Sequence, residues 1–113
     1  MADAMITRTD EEYQALAWRL RSAIRKAEIQ QVEQHGADYG PCGFAYVVVT
    51  DKQAAKDLCR LSPQFKKQPG GGAEMMVGCK NWQSVDAAEQ VAKAMAAEFE
   101  RSGIAAHTYG RMD

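Results

Sequence analysis

The stretch Y-G-P-C-G-F-A-Y-V-V-V, residues 39–49, decides the fold of this chain. Two glycines and a proline surround Cys42 in a turn cluster that leads directly into six apolar residues. Those six are rich in β-branched and aromatic side chains, which is typical of a strand buried on both faces. We therefore predict a central strand at residues 44–49, with the Cys42 thiol at its mouth, where ligands often bind in α/β proteins.

Three helices are predicted, one before this strand in the sequence and two after it. Thr9, with Glu12 three residues later, forms a capping box that begins the first helix, and Gly103 is a typical residue for ending the last one. In each helix the apolar residues recur at steps of three and four, which produces one apolar stripe. The predicted ranges are 10–34, 52–61 and 85–102.

Two further strands are predicted at residues 73–79 and 104–109, so the element order is α-β-α-β-α-β. This order predicts a single α/β domain, a small sandwich around a three-stranded sheet with strand 44–49 in the middle. Right-handed crossovers would make neighbouring strands parallel. Because the second helix is short and a glycine-rich loop follows it at residues 62–72, the next strand could instead run antiparallel to the first. The fold would then belong to the α+β class. Residues 1–8 are expected to be flexible.

Bulk composition excludes several classes of protein. The 113 residues carry 14 basic and 15 acidic side chains, a net charge of −1, so whole-chain charge favours neither a nucleic-acid binder nor an acidic mimic of nucleic acid. No apolar run approaches the roughly 18 residues of a membrane span, and the N-terminus does not resemble a signal peptide. Three cysteines at wide spacing indicate reduced thiols in the cytoplasm rather than disulfides or a zinc site. We expect neither a metal nor a cofactor.

Basic residues are concentrated in the segment 52–80, and this is the strongest functional signal. Six cations against two carboxylates give 6 − 2, or +4. Cations beside aromatic residues can hold phosphates while bases stack, which suggests a nucleic-acid surface. Solvated helix faces are the alternative explanation. The candidate binding residues of this segment are Lys52, Lys56, Arg60, Lys66 and Lys67.

Helix one offers a second candidate surface. Trp18, Arg21 and Arg25 share one of its faces, outside the main apolar stripe. An exposed tryptophan often marks a partner surface, here for a host protein or for a second copy of the chain. Alternatively, Trp18 packs against a neighbouring helix.

Cys42 also suggests a thiol-dependent enzyme, because His107 could act as its base if the first and last strands are neighbours. The competing interpretation is a small buried cysteine in a tight turn.

Two segments resemble a group of small, mostly uncharacterised proteins of bacteriophages and mobile elements. These are D-Y-G-P-C-G-F-A-Y-V (38–47) and G-I-A-A-H-T-Y-G-R-M-D (103–113); the group has a similar G-P-C-G-F-A-x-V stretch and ends in R-[LM]-D. The likeness covers roughly residues 38–113. It implies a phage or prophage accessory protein in the cytoplasm of a bacterial host, and it carries over no catalytic residue.

The expected function is therefore binding, to nucleic acid or to a host protein, through a basic face. A thiol enzyme using Cys42 and His107 and a self-associating structural module are the alternatives.

Overall fold

A computed structural model of the chain describes residues 8–35, 43–77 and 85–112. It is an α+β structure of three helices and a four-stranded antiparallel sheet. In chain order the elements are α1 (Asp10–His35), β1 (Gly43–Val49), α2 (Lys52–Leu61), β2 (Lys66–Lys67), β3 (Ala73–Val77), α3 (Val85–Arg101) and β4 (Ala106–Met112).

The sheet has the strand order β2-β3-β1-β4, and every neighbouring pair is antiparallel. Strand β1 is interior, as its apolar run predicts. Of the two arrangements left open by the sequence, the antiparallel one is observed and parallel neighbours are not. Helices α2 and α3 each return the chain to a strand two places along the sheet, and an antiparallel strand lies between the two strands that each helix connects. From β1 to β4 these connections are those of the split β-α-β, or ferredoxin-like, arrangement.

The prediction of three strands is wrong, because the segment assigned to a loop contains the fourth. Gly70 and Gly71 have φ values of +93° and +100°, which let the chain reverse tightly. The Gln68 N–H then donates to the Gly72 carbonyl at 2.8 Å, and residues 66–67 pair with the start of β3. Two residues are too few to show the alternation by which strands are recognised in a sequence.

The start of α1 and the end of α3 are formed by the residues that the sequence predicts for them. The Thr9 hydroxyl accepts from the Glu12 N–H, and the Glu12 carboxylate accepts from the Thr9 N–H, both at 3.2 Å. At the end of α3, the Ile104 N–H donates to the Phe99 carbonyl and the Gly103 N–H donates to the Glu100 carbonyl, with Gly103 at φ +78°. This pair of bonds is a Schellman motif, which satisfies carbonyls left free by the helix.

Within residues 8–35, 43–77 and 85–112, the three helices lie against one face of the sheet. Alternate residues of β1, namely Ala45, Val47 and Val49, join one core cluster with side chains from all three helices. On the opposite face Phe44 and Tyr46 are half-buried. The expectation that β1 is buried on both faces is therefore correct only in part, and we refer to this second side as the open face.

One hydrogen bond links α1 to α2 through the core. The Tyr13 hydroxyl donates to the Asp57 carboxylate at 2.8 Å, and the Tyr13 side chain is buried. Burial, and then the hydrogen bond to Asp57, raise the pKa of Tyr13 to about 12. Its phenol therefore stays protonated far into the alkaline range.

The raised pKa predicts how stability responds to alkali. A folded pKa above the unfolded value stabilises the fold fully below pH 10, and that contribution is lost as the pH rises towards about 12. At pH 7 the Tyr13→Phe variant should unfold about 1 kcal/mol more easily, since it lacks the bond to Asp57. Above pH 10 the wild type should lose stability relative to the variant. Urea unfolding at a series of pH values measures this difference, and a pH-independent difference would contradict the prediction.

Candidate functional site: the open sheet face and its basic corner

The open face is organised in rows set by the strand register. Glu74, Val48 and His107 lie directly across from one another on β3, β1 and β4, with Lys66 of β2 opposite Glu74. The next row contains Met76, Tyr46 and Tyr109. The sheet therefore places cationic, acidic, imidazole and aromatic groups together, although they come from four separate parts of the sequence.

Two tyrosines form the centre of this face. The rings of Tyr46 and Tyr109 stack with their centroids 4.7 Å apart and their planes 14° from parallel. The Tyr109 hydroxyl donates to Glu74 at 3.2 Å, so this side chain reaches across β1 to β3. Val48, which lies beside this bridge, is buried although none of the three described helices lies on its side of the sheet. Tyr109 itself remains 41% exposed.

Glu74 is held from two directions. Its Oε2 accepts from the Tyr109 hydroxyl, and its Oε1 accepts from the Gln68 side-chain amide at 3.0 Å. A carboxylate offers about four acceptor positions. Glu74 can therefore still accept from a donor that approaches the open face, such as the amino group of a base.

The basic residues cluster at the β2 edge of the sheet, and Lys66 among them lies on the open face. Lys66 and Lys67 occupy the edge strand β2, and Lys52 of α2 packs its aliphatic stem against the β2–β3 turn. A Cβ placed on Gly71 would stand 3.5 Å from the Lys52 Cγ. Lys56 lies one turn further along α2, and all four lysines are exposed. We refer to Lys52, Lys56, Lys66 and Lys67 as the basic corner.

The four lysines lack a neutralising partner in the part of the chain that the structure describes, where the ion pairs involve arginines alone. Arg60 differs, because it donates to Asp10 at 3.0 Å. That hydrogen bond to Asp10 raises the pKa of Arg60. The basic corner therefore offers four lysines without an ion pair among the described residues, and Arg60 is better placed to join α2 to α1.

The other candidate surface of the sequence lies apart from the open face. Trp18 is 69% exposed on α1, and the Arg21 guanidinium lies 5.6 Å from the centre of its ring. Arg25 is also exposed on the same helix. Because the helices lie on one side of the sheet, these residues belong to the side opposite the open face.

The thiol hypothesis stays a prediction. Cys42 lies outside the described residues, whereas His107 is exposed on the open face. Of the residues described, Cys59 has a free thiol, half-buried on α2. No group of three metal-ligating side chains occurs within residues 8–35, 43–77 and 85–112. None of the helices described is long and apolar enough to span a membrane.

Comparison with known protein families, with curated proteins and with solved structures finds no match for this chain. Function is therefore inferred from the open face and the basic corner. Sequence reasoning found the lysines from their charge. It missed the Tyr46–Tyr109 pair and Glu74, because a sheet register brings together residues that are far apart in sequence.

Proposed function

We propose that the protein binds single-stranded nucleic acid, with the bases on the open face and the phosphates at the basic corner. The observation that carries the proposal is the stacked Tyr46–Tyr109 pair on a sheet face that none of the three described helices covers. Lys66 shares that face, and the other exposed lysines of the basic corner lie on β2 and α2. Stacking on aromatic side chains and charge interactions with phosphates are the two main contributions to binding of single strands.

The chemistry of the face suits a single strand better than a duplex. Bases in a duplex stack on one another and are not available to a protein ring, whereas those of a single strand can be splayed onto aromatic side chains. Met76, exposed beside Tyr46, adds apolar surface. Glu74 and His107 add hydrogen-bonding groups within reach of a stacked base.

The resemblance of residues 38–47 and 103–113 to phage and mobile-element proteins gives this activity a setting. We propose an accessory protein of a phage or prophage that acts in the cytoplasm of the bacterial host. Binding to a single strand is a common requirement while a nucleic acid is copied or transferred.

The test is fluorescence anisotropy with labelled DNA and RNA strands of about 12 nucleotides, at low salt. We expect saturable binding to single strands and weaker binding to the matching duplex. Tyr46→Ala should reduce affinity about tenfold, because stacking is worth roughly 1–3 kcal/mol per base. Tyr46→Phe keeps the ring and should bind like the wild type.

Trp18→Ala is the matched control, because it removes an exposed aromatic residue from the other side of the molecule. It should leave affinity for the oligonucleotide unchanged. Absence of binding at low salt by folded protein would overturn the proposal. If Trp18→Ala and Tyr46→Ala reduced affinity equally, the open face would not be the surface that binds the bases.

Self-association is the second candidate, and the exposure of Met76 favours it. This side chain is 54% exposed next to the tyrosine pair, so the open faces of two copies could cover each other. Light scattering over a range of concentrations separates the two proposals. A dimer that oligonucleotides do not dissociate would favour the structural module.

A further inference from the structure

A groove runs between α1 and α3 on the helical side of the sheet. Its volume is about 470 Å³. The lining includes Ala23 and Ala27 of α1 and Ala94 and Ala97 of α3. Because these side chains are small, another backbone can come closer to α1 and α3 here than larger side chains would permit.

The groove carries positive charge. Glu98, nearly buried within it, accepts from Arg101 at 2.7 Å and pairs with Arg19 at 3.3 Å. Two arginines therefore share one carboxylate, and Lys26 adds another cation to the lining. Three cations against one anion give 3 − 1, or +2, which is complementary to an acidic ligand.

Trp18 stands at the rim of the groove and supplies its largest apolar surface. The ring is 69% exposed, and Arg21 lies over it. Tryptophan and arginine are the residues most enriched among those that dominate the energetics of protein interfaces. A ring this exposed in the free protein buries a large apolar area when a partner covers it.

We propose that the α1–α3 groove is the docking surface for an acidic amphipathic helix of a partner protein. The apolar ridge of that helix lies on the alanine floor, as in other cases where a helix binds a groove. Its carboxylates meet Arg19, Lys26 and Arg101, and Trp18 packs against one end of its apolar face. Complementary charge selects the partner and its orientation.

This surface is independent of the proposed nucleic-acid site. The open face and the groove lie on opposite sides of the sheet, so one molecule can occupy both. The groove has a floor of alanines and a nearly buried carboxylate, whereas a nucleic-acid site offers rings for stacking and free cations for phosphates.

The test uses a designed acidic peptide of roughly 18 residues, with Leu and Ala at i, i+3, i+4 and i+7 and Glu on both flanks. A matched peptide carries Lys in place of each Glu. With Trp82→Phe as background, tryptophan emission reports on Trp18 alone. We expect a saturable change with the acidic peptide and none with the basic one.

Lys26→Glu should weaken binding of the acidic peptide about tenfold, and Trp18→Ala, followed by peptide anisotropy, should weaken it at least as much. Lys93→Glu is the matched control, because Lys93 is exposed on α3 and does not line the groove. Its effect should stay below about twofold. Circular dichroism of each variant establishes that it is folded.

Several results would overturn the inference. These are no saturable binding of the acidic peptide to folded protein, equal weakening by Lys26→Glu and Lys93→Glu, and displacement of the peptide by a single-stranded oligonucleotide. A concentration-dependent dimer that excludes the peptide would also overturn it, because a second copy of the chain would then occupy the groove.

Discussion

Replacing Phe99 by alanine is expected to lower the free energy of unfolding by about 3–5 kcal/mol. Phe99 has no exposed surface and meets Phe65 edge-to-face, with their ring centroids 6.0 Å apart. Its carbonyl also accepts from the Ile104 N–H in the motif that ends α3. The substitution leaves a cavity where α3, the sheet and the β2 hairpin meet.

Urea unfolding followed by circular dichroism measures this destabilisation. A domain of this size is stable by roughly 5–15 kcal/mol, so Phe99→Ala would remove a large share of the total. Ile29→Ala is the matched control, because Ile29 is a large apolar residue on a helix but is 48% exposed. Its effect should stay within about 0.5 kcal/mol. Similar destabilisation of the two variants would contradict the placement of the core.

Removing all four charges of the basic corner should have the largest effect on binding. The variant Lys52→Gln/Lys56→Gln/Lys66→Gln/Lys67→Gln is expected to bind a single-stranded oligonucleotide about 100-fold more weakly at low salt. Removing one lysine–phosphate interaction also reduces the slope of log affinity against log salt by about 0.7, so removing all four would flatten it by about 3. Anisotropy titrations at several salt concentrations measure both quantities.

A matched variant distinguishes local from general charge effects. Changing Arg21, Arg25, Lys26 and Lys93 to glutamine removes the same number of cations from the helical side. Its affinity should change by less than about threefold, since these four charges lie on α1 and α3, outside the basic corner. Equal weakening in the two variants would mean that total charge, and not the basic corner, attracts the nucleic acid.

The position of Lys66 and Lys67 has a second physical consequence. Lysines on an edge strand discourage the pairing of sheet edges between molecules. If the four-lysine variant aggregates while its affinity for oligonucleotides is unchanged, the lysines protect the edge of the sheet and do not bind phosphates. Light scattering on the titrated samples detects this outcome.

Local elements could be predicted from the sequence because their causes are local. The capping box at Thr9 and the stop at Gly103 both lie within a few residues of the helix ends that they determine. The apolar run at 44–49 indicated a strand for a similar reason, and four of its six side chains are buried: Ala45, Val47, Val48 and Val49. The excess of positive charge in the segment 52–80 can likewise be counted from the sequence without knowledge of the tertiary structure.

The candidate sites could be predicted only in part. Residues 52–67 supply the lysines, but nothing in that segment indicates that Lys66 lies opposite Glu74, on the face that carries Tyr46 and Tyr109. Arg60 has the same spacing as Lys52 and Lys56, yet the structure pairs it with Asp10, which is 50 positions away. The exposure of Trp18 also depended on how α1 lies against α3.

By itself, then, the amino-acid sequence determined the three helices, the interior strand and the concentration of positive charge, because hydrophobic period, caps and composition act over a few residues. Only the tertiary structure decided the fourth strand, the antiparallel register and which face of the sheet the three helices cover. Those features depend on where chain segments meet in space. Pairing between distant strands is what brought the two tyrosines, Glu74 and Lys66 to one side of the sheet.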